Sequence, residues 1–140
     1  MDSAQKPLEL ILARNLLTSL STPAFLADDD GSLVFYNEAA GALLGMSFEE
    51  SGRLGPGEWG KTFGPFDSDG NPIPVEELST TQTLRAGRPT HAEYCIHSTG
   101  GDEHMVEVSA FPIVAQEGQR GAIVVFWPKD GLDGKGKGNG

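Results

Sequence analysis

Apolar runs near the N-terminus predict a hairpin followed by a short helix. Residues 24–27 and 33–36 are apolar and rich in aromatic and branched side chains, and an Asp/Gly turn joins them. Asn37 is a suitable N-cap for a helix predicted over residues 38–44, which ends at Gly45. The turn contains three aspartates but lacks the alternating carboxylates and closing glutamate of a calcium loop, so we interpret it as a turn.

The middle of the chain predicts two more helical segments around an irregular region. Ser47 and Glu50 have the spacing of a capping box, so a helical turn begins at Ser47. Glycine and proline dominate residues 52–74, and the apolar residues there, such as Trp59, either cover the mouth of a cavity or anchor ordinary loops. Pro74 opens a helix predicted over residues 75–87, with Val75, Leu78 and Leu84 available to line one side.

Three strands are predicted in the C-terminal half. Even-numbered apolar residues alternate with polar ones over residues 90–98 and 104–113, so one face of each strand is buried. The strand at residues 122–127 is apolar on both faces and is therefore covered on both, its outer face by the N-terminal helix. The side chains predicted to face the interior are Tyr94, Ile96, Val106, Val108, Val124 and Phe126.

An amphipathic helix is predicted within residues 1–20, because apolar residues recur there at spacings of three and four. Its apolar stripe is wider than one sheet face needs, and soluble monomers avoid large exposed apolar patches. We therefore expect a homodimer, and a monomer in which the helix covers only its own sheet is the alternative. The expected interface residues are Leu8, Ile11, Leu12, Leu16 and Leu20, with Leu10 and Leu17 widening the stripe.

Composition and charge narrow the classes of function. The 140 residues include 10 Lys+Arg and 20 Asp+Glu, a net charge of −10 that disfavours nucleic-acid and anionic membrane partners. No apolar run approaches the ~20 residues of a membrane span, and the N-terminus lacks the basic region of a signal peptide. The single cysteine, Cys95, fits a reducing compartment, so we expect a cytoplasmic protein. We predict one globular domain over residues 21–128, preceded by the helix and followed by a flexible Gly/Lys-rich tail at residues 129–140.

Neither catalysis nor a metal is predicted from the reactive residues. No nucleophile with a base and no carboxylate pair is evident. His91 and His97 have the parity of the outer sheet face, and His104 begins its strand near a hairpin where it reaches water. One cysteine and no close ligand spacing argue against zinc, and no Gly-Lys-Ser/Thr follows the central glycines to make a phosphate loop. We expect no enzyme, no metal and no coloured cofactor.

The elements, in this order, resemble a PAS (Per-Arnt-Sim) domain. The resemblance covers residues 20–127 and is carried by AFLADDDGSLVFYNEAAGALLG, DSDGNPIPVEELSTTQTLRAGRP, GGDEHMVEVSAFPI and GAIVVFW together. It implies an α+β fold, with a five-stranded antiparallel sheet in the order 2-1-5-4-3 and helices packed on one face around a pocket. The N-terminal helix resembles the cap helix of many such domains. The resemblance also implies a sensory or dimerising role in a signalling protein.

The chain departs from this family at three places. The common Asp-Ile-Thr after the last strand is replaced by Pro128, Lys129 and Asp130, so the output route is not specified. The Gly-x-Asn-Cys-Arg-Phe motif of the flavin photosensors is absent, and Cys95 lies on a late strand, where it is expected to pack as a small residue. Haem-binding relatives carry a histidine on the long helix, and residues 75–86 contain none. We therefore expect neither haem nor flavin.

Two functions stay open from the sequence. In the first, the domain senses an apolar or amphipathic small molecule, such as a fatty acid, in its pocket. In the second, it is a protein–protein interaction module with a packed interior, because Tyr94 and Phe126 are large enough to fill a small cavity. The candidate pocket residues are Trp59, Leu84, Tyr94, Ile96, Val106, Val108, Val124 and Phe126.

Overall fold

The computed structural model describes residues 8–55, 58–59, 63, 65–67, 69–115 and 118–129. The predicted tail, apart from Lys129, and residues 1–7 of the predicted N-terminal helix lie outside the described residues. The helices and strands in chain order are α1 (Leu8–Thr18), β1 (Ala24–Asp28), β2 (Leu33–Tyr36), α2 (Glu38–Leu44), α3 (Phe48–Ser51), α4 (Ser79–Ala86), β3 (Thr90–His97), β4 (Glu103–Ala115) and β5 (Gly118–Pro128).

The strands form one antiparallel sheet of five strands in the order β2-β1-β5-β4-β3. This confirms the α+β fold class and the strand order that the resemblance implied. Segments of the same chain bridge both edges of the sheet. Leu54 pairs with Leu33 at the β2 edge, and Phe66 pairs with Cys95 at the β3 edge.

Apolar side chains are packed on both faces of the sheet. The larger core lies on the face of the sheet that carries α2, and it contains Val106 and Val124. The smaller core lies on the opposite face, where Leu17 of α1 is buried together with Leu26 and Phe35. Alternate residues of β5 therefore serve different cores, as predicted from its two apolar faces.

Asn37 joins three elements through one buried side chain. Its Oδ1 accepts hydrogen bonds from the backbone N–H groups of Ala24 (3.1 Å) and Ala40 (3.0 Å). Its Nδ2 donates to the carbonyl oxygens of Leu17 (3.1 Å) and Thr22 (2.9 Å). The predicted N-cap of α2 is confirmed, and the same amide also holds the end of α1 against the start of β1.

Two other predicted helix ends are confirmed in detail. Ser47 and Glu50 form both hydrogen bonds of a capping box at the start of α3. Gly45, which follows α2, has a φ of 83°, in the left-handed region where a side chain would be strained.

The helix predicted over residues 75–87 begins later than its sequence pattern indicated. Val75–Glu77 form a single 3-10 turn, and the α-helix starts at Ser79. Leu78, at the N-cap position, makes no side-chain cap, and the hydroxyl of Tyr94 instead accepts from the backbone N–H of Ser79 at 2.8 Å. A contact from a distant strand therefore fixes where α4 starts. The end of the helix at Gly87 agrees with the prediction.

Strands β4 and β5 extend beyond the predicted residues 104–113 and 122–127. Their pairing continues to Ala115 and Gly118 at the far end of the hairpin. Backbone pairing needs no apolar side chain, so the ladder extends past the alternating pattern that revealed it. Where β5 passes β1 the approach is close, and a Cβ on Gly121 would collide with the carbonyl oxygen of Ala27.

Substitutions at neighbouring positions of β4 test the strand register. Val108 is buried in the larger core, whereas Ser109 is partly exposed on the other face. We expect Val108→Asp to lower the free energy of unfolding by roughly 4 kcal/mol or more, because it buries a charge without a partner. Ser109→Asp should cost less than about 1 kcal/mol. Urea denaturation measures both, and equal losses would show that the register is wrong.

Substitutions of Asn37 test its role as a joint. Asn37→Ala removes the cap and leaves buried backbone groups without partners, so it should cost about 2–4 kcal/mol of unfolding free energy. Asn37→Asp keeps the acceptor but turns a carboxylate toward the Leu17 and Thr22 carbonyls, so it should also destabilise the protein. Asn15→Ala on the exposed side of α1 is the matched control. Urea denaturation in which Asn37→Ala unfolds like Asn15→Ala would contradict the role assigned to the amide.

Candidate functional site

A small apolar cavity lies between the sheet and the segments that cover its larger core. Its volume is about 60 Å³. Sites for drug-sized ligands occupy roughly 300–1,000 Å³, so this space is several times smaller than such a site. The lining residues are Phe25, Leu33, Leu44, Trp59, Phe63, Pro65, Leu78, Ser79, Thr80, Tyr94, Ile96, Val106, Val108, Val124 and Phe126.

The structure places seven of the eight predicted pocket residues around this cavity. They are Trp59, Tyr94, Ile96, Val106, Val108, Val124 and Phe126. The eighth predicted residue, Leu84, is only partly buried and is not in the lining that the described residues form, so its assignment to the pocket is corrected. Because α4 starts at Ser79, its buried positions are Ser79, Thr80 and Thr83. Leu78, just before the helix, supplies the apolar side chain opposite the strands.

Three lining residues from the first hairpin and the short helix after it were not among the predicted pocket residues. Phe25 comes from β1, Leu33 from β2 and Leu44 from α2. A signal for them was present, because the hairpin and the short helix also carry apolar residues at alternating or helical spacing. Deciding which side of the hairpin faces the cavity required the strand order.

Aromatic rings fill much of the space beside the cavity. The centroid of the Phe25 ring lies 5.6 Å from that of Trp59 and 6.2 Å from that of Phe126. Trp59 is anchored by its indole N–H, which donates to the carbonyl oxygen of Gly31 at 3.1 Å. These contacts are in the range of favourable aromatic pairs, so the rings hold one another in place.

The polar groups that border the cavity bond to one another. The Tyr94 hydroxyl accepts from the Ser79 backbone N–H and lies 3.1 Å from Ser79 Oγ, to which it donates. Thr83 of α4, which is buried but not in the lining, has its hydroxyl oxygen 2.7 Å from that of Thr90. A molecule in the cavity would therefore meet mainly apolar surface, since the Tyr94 hydroxyl and Ser79 already bond to each other.

The aspartate-rich turn uses its carboxylates to hold its own backbone. Asp28 accepts from the backbone N–H groups of Asp30 (3.2 Å) and Ser32 (3.1 Å), and from Arg53 Nη2 at 2.8 Å. Burial raises the pKa of Asp28, and a hydrogen bond between the side chains of Asp28 and Asp30 raises it further. The same hydrogen bond, followed by one with Ser32, lowers the pKa of Asp30 to about 2. This geometry supports the interpretation of the segment as a turn.

The exposed side of α1 carries the predicted interface residues. Relative exposures are 63% for Leu8, 44% for Ile11, 56% for Leu12, 55% for Leu16 and 37% for Leu20, which lies just beyond the helix. Leu10 and Leu17 do not widen this stripe, because with Ala13 they are the buried residues of α1. The spacing of 10, 13 and 17 is what one helical face needs to cover the sheet.

His91 is exposed and His97 is partly exposed on β3, and His104 is partly buried on β4. His91 Nε2 is 3.6 Å from Glu107 Oε1, and His97 Nε2 is 3.5 Å from Glu103 Oε2. His97 and Glu103 are direct cross-strand partners on β3 and β4, whereas Glu107 is diagonal to His91, whose direct partner is Ser109. Cys95 lies beside His97 and Glu103, with one possible ligand atom of each within 4.8 Å of the others. The expectation that the protein holds no metal stays a prediction.

In the part of the chain that the structure describes, no helix combines the length and the apolar character needed to cross a membrane.

No protein-family profile matches the sequence, and no curated protein matches it. Solved PAS and related structures do match the fold. The LOV protein of Rhodobacter sphaeroides aligns with a TM-score of 0.68 at 12% identity, over 89% of this chain and 71% of that chain. The PAS domain of nitrogen regulation protein NR(II) from Vibrio parahaemolyticus aligns with a TM-score of 0.58 at 18% identity, over 84% and 97%. The light-state dimer of the fungal blue-light photoreceptor Vivid gives 0.57 at 14% identity, over 78% of each chain.

Proposed function

We propose that this chain, which has a PAS-like fold, is a sensory or regulatory module of a signalling protein, and that two copies pair through α1. The similar structures support the signalling role, because their names include a nitrogen regulation protein and a blue-light photoreceptor. The observation that carries the proposal is the apolar side of α1 that faces away from the sheet.

The exposed side of α1 fits a second copy of the same chain. Leu8, Leu12 and Leu16 are each more than half exposed, although the other side of the helix is buried against the sheet. A two-fold axis would set the same stripe from each copy against the other and remove both from water. The stripe itself is uncharged, so two chains of net charge −10 can meet there without placing like charges in the contact. One of the similar structures is itself described as a dimer.

The interior acts in this proposal as a packed core. The cavity of about 60 Å³ is lined by aromatic and branched side chains that contact one another. A fatty acid would need a site closer to roughly 300 Å³, which would require Phe25 or Trp59 to move aside. The packing therefore favours the interaction-module version of the two hypotheses over the ligand sensor.

The proposed role is not catalytic, and the proposed location of the protein is the cytoplasm. The hydroxyl of Tyr94 is engaged by Ser79, and His91 and His97 lie at the surface away from the cavity. The single cysteine supports a location in a reducing compartment. The acidic composition argues against a nucleic-acid partner.

Charge reversal on α1 tests the pairing. We expect light scattering at roughly tens of micromolar to give the mass of a dimer for the full chain. The double variant Leu12→Glu/Leu16→Glu should give the mass of a monomer, because burying its two carboxylates in the contact is unfavourable. Gln82→Glu, at an exposed polar position of α4 and away from the stripe, should stay dimeric. Circular dichroism should be the same for all three. Removing α1 altogether is a poorer test, because it would uncover Leu26 and Phe35.

A full chain that stays monomeric would contradict the pairing. A double variant that stays dimeric, with the control unchanged, would remove α1 from the interface.

The mass and the spectrum of the protein purified from cells test the packed interior. We expect native mass spectrometry to show no added organic molecule and the absorption spectrum to show no visible band, because the cavity is too small for haem, flavin or a fatty acid. Trp59→Ala enlarges the cavity and serves as the comparison, since retention of a lipid by this variant alone would show that volume is the limit. An organic molecule retained by the unaltered chain would favour the ligand sensor.

A further inference from the structure

We propose that Cys95, His97 and Glu103 bind one zinc ion on the outer face of the sheet. Cys95 and His97 are two residues apart on β3, so their side chains share a face. Glu103 of β4 is the direct cross-strand partner of His97 and lies on the same face. The hairpin register thus brings together a thiol, an imidazole and a carboxylate from residues that are not adjacent in the sequence.

The distances between the ligand atoms are close to those of a zinc site. One ligand atom from each residue lies within 4.8 Å of the others. His97 Nε2 and Glu103 Oε2 are already 3.5 Å apart. Bonds of about 2.0–2.3 Å to a tetrahedral zinc ion place neighbouring ligand atoms roughly 3.2–3.8 Å apart, so only small side-chain rotations are needed.

The chemistry of the donors selects zinc over the common hard cations. Magnesium and calcium prefer oxygen ligands, whereas thiolate and imidazole nitrogen are typical ligands of zinc. Three protein ligands leave the fourth position of a tetrahedral ion for water. The Cys95 thiol must lose its proton to bind, so binding releases a proton and strengthens as pH rises toward the ordinary thiol pKa.

Phe66 holds two of the three ligands in place. Its ring is stacked on the ring of His97, with centroids 4.2 Å apart and planes at 24°. Its backbone exchanges two hydrogen bonds with Cys95, of 2.7 and 3.0 Å. The His97 and Glu103 side chains are 36% and 70% exposed, so an ion can reach them from solvent. The His97 ring and the Cys95 backbone are thus held before the ion arrives, which lowers the entropic cost of binding.

The chain contains a matched control on the same two strands. His91 also lies beside a carboxylate across the two strands: its Nε2 is 3.6 Å from Oε1 of Glu107, two residues before its direct partner Ser109. The neighbour of His91 there is Ser109, whose hydroxyl lies 3.1 Å from His91 Nδ1. This second pair offers imidazole and carboxylate at nearly the same spacing, without the thiol.

Titration with Co²⁺ under reducing conditions tests the proposal on the full chain. Cobalt bound to a thiolate gives a charge-transfer band in the near ultraviolet, so the band reports coordination by Cys95. We expect a band that saturates at one Co²⁺ per chain and disappears when Zn²⁺ is added. Cys95→Ser should abolish it, and His97→Ala and Glu103→Gln should each weaken binding at least about tenfold. His91→Ala and Glu107→Gln should bind like the unaltered chain.

Absence of a thiolate band, or equal losses in the His91 and His97 variants, would overturn the site. Circular dichroism of each variant shows whether it is folded. Cys95→Ser and His97→Ala change different strand positions, so retention of the band by either folded variant also counts against the assignment. Dimerisation is measured separately, so the outcome here is independent of the proposed function.

Discussion

The buried amide of Asn37 fixes the positions of the elements on both faces of the sheet. It bonds to the last turn of α1, to the first residue of β1 and to the first turn of α2. Helix α1 belongs to one core and α2 to the other, so a single side chain sets the two cores relative to each other. Its donors and acceptor are matched by buried backbone groups, which would each be costly to leave unpaired.

The two sides of α1 therefore face different surroundings. Leu10, Ala13 and Leu17 close the smaller core and make α1 part of the packed structure. Leu8, Leu12 and Leu16 on the other side take no part in that core and are left to water. Since the amide of Asn37 holds the end of α1, the outward stripe has a fixed orientation, which favours a specific contact over a loose one.

Local pattern predicted the elements well and their mutual geometry less well. The alternation at Val106 and Val108, and the two apolar faces of β5, correctly indicated which residues are buried. The strand order came from the resemblance to a family and not from periodicity. The local pattern placed Leu84 in the pocket wrongly. The start of α4 depends on a contact between Ser79 and Tyr94, fifteen residues further along the chain, which a local pattern cannot show.

The same limitation applies to the ligands of the proposed zinc site. Spacing along the sequence gave no reason to join Cys95 and His97 with Glu103, because only the register of the hairpin makes Glu103 the neighbour of His97. A pattern read along one strand contains no information about its partner. Asn37 illustrates the point again, since its cap on α2 is local and its bonds to α1 are not.

The bridges at the two edges of the sheet limit how this protein can associate with others. A strand from another molecule that approached β3 would have to displace Phe66, whose backbone already bonds to Cys95. At β2 it would meet Leu54, which exchanges hydrogen bonds with Leu33. Protected edges disfavour the open-ended strand addition that leads to fibrils. Contacts through side-chain surfaces, which can close into a complex of defined size, are favoured over pairing at these edges.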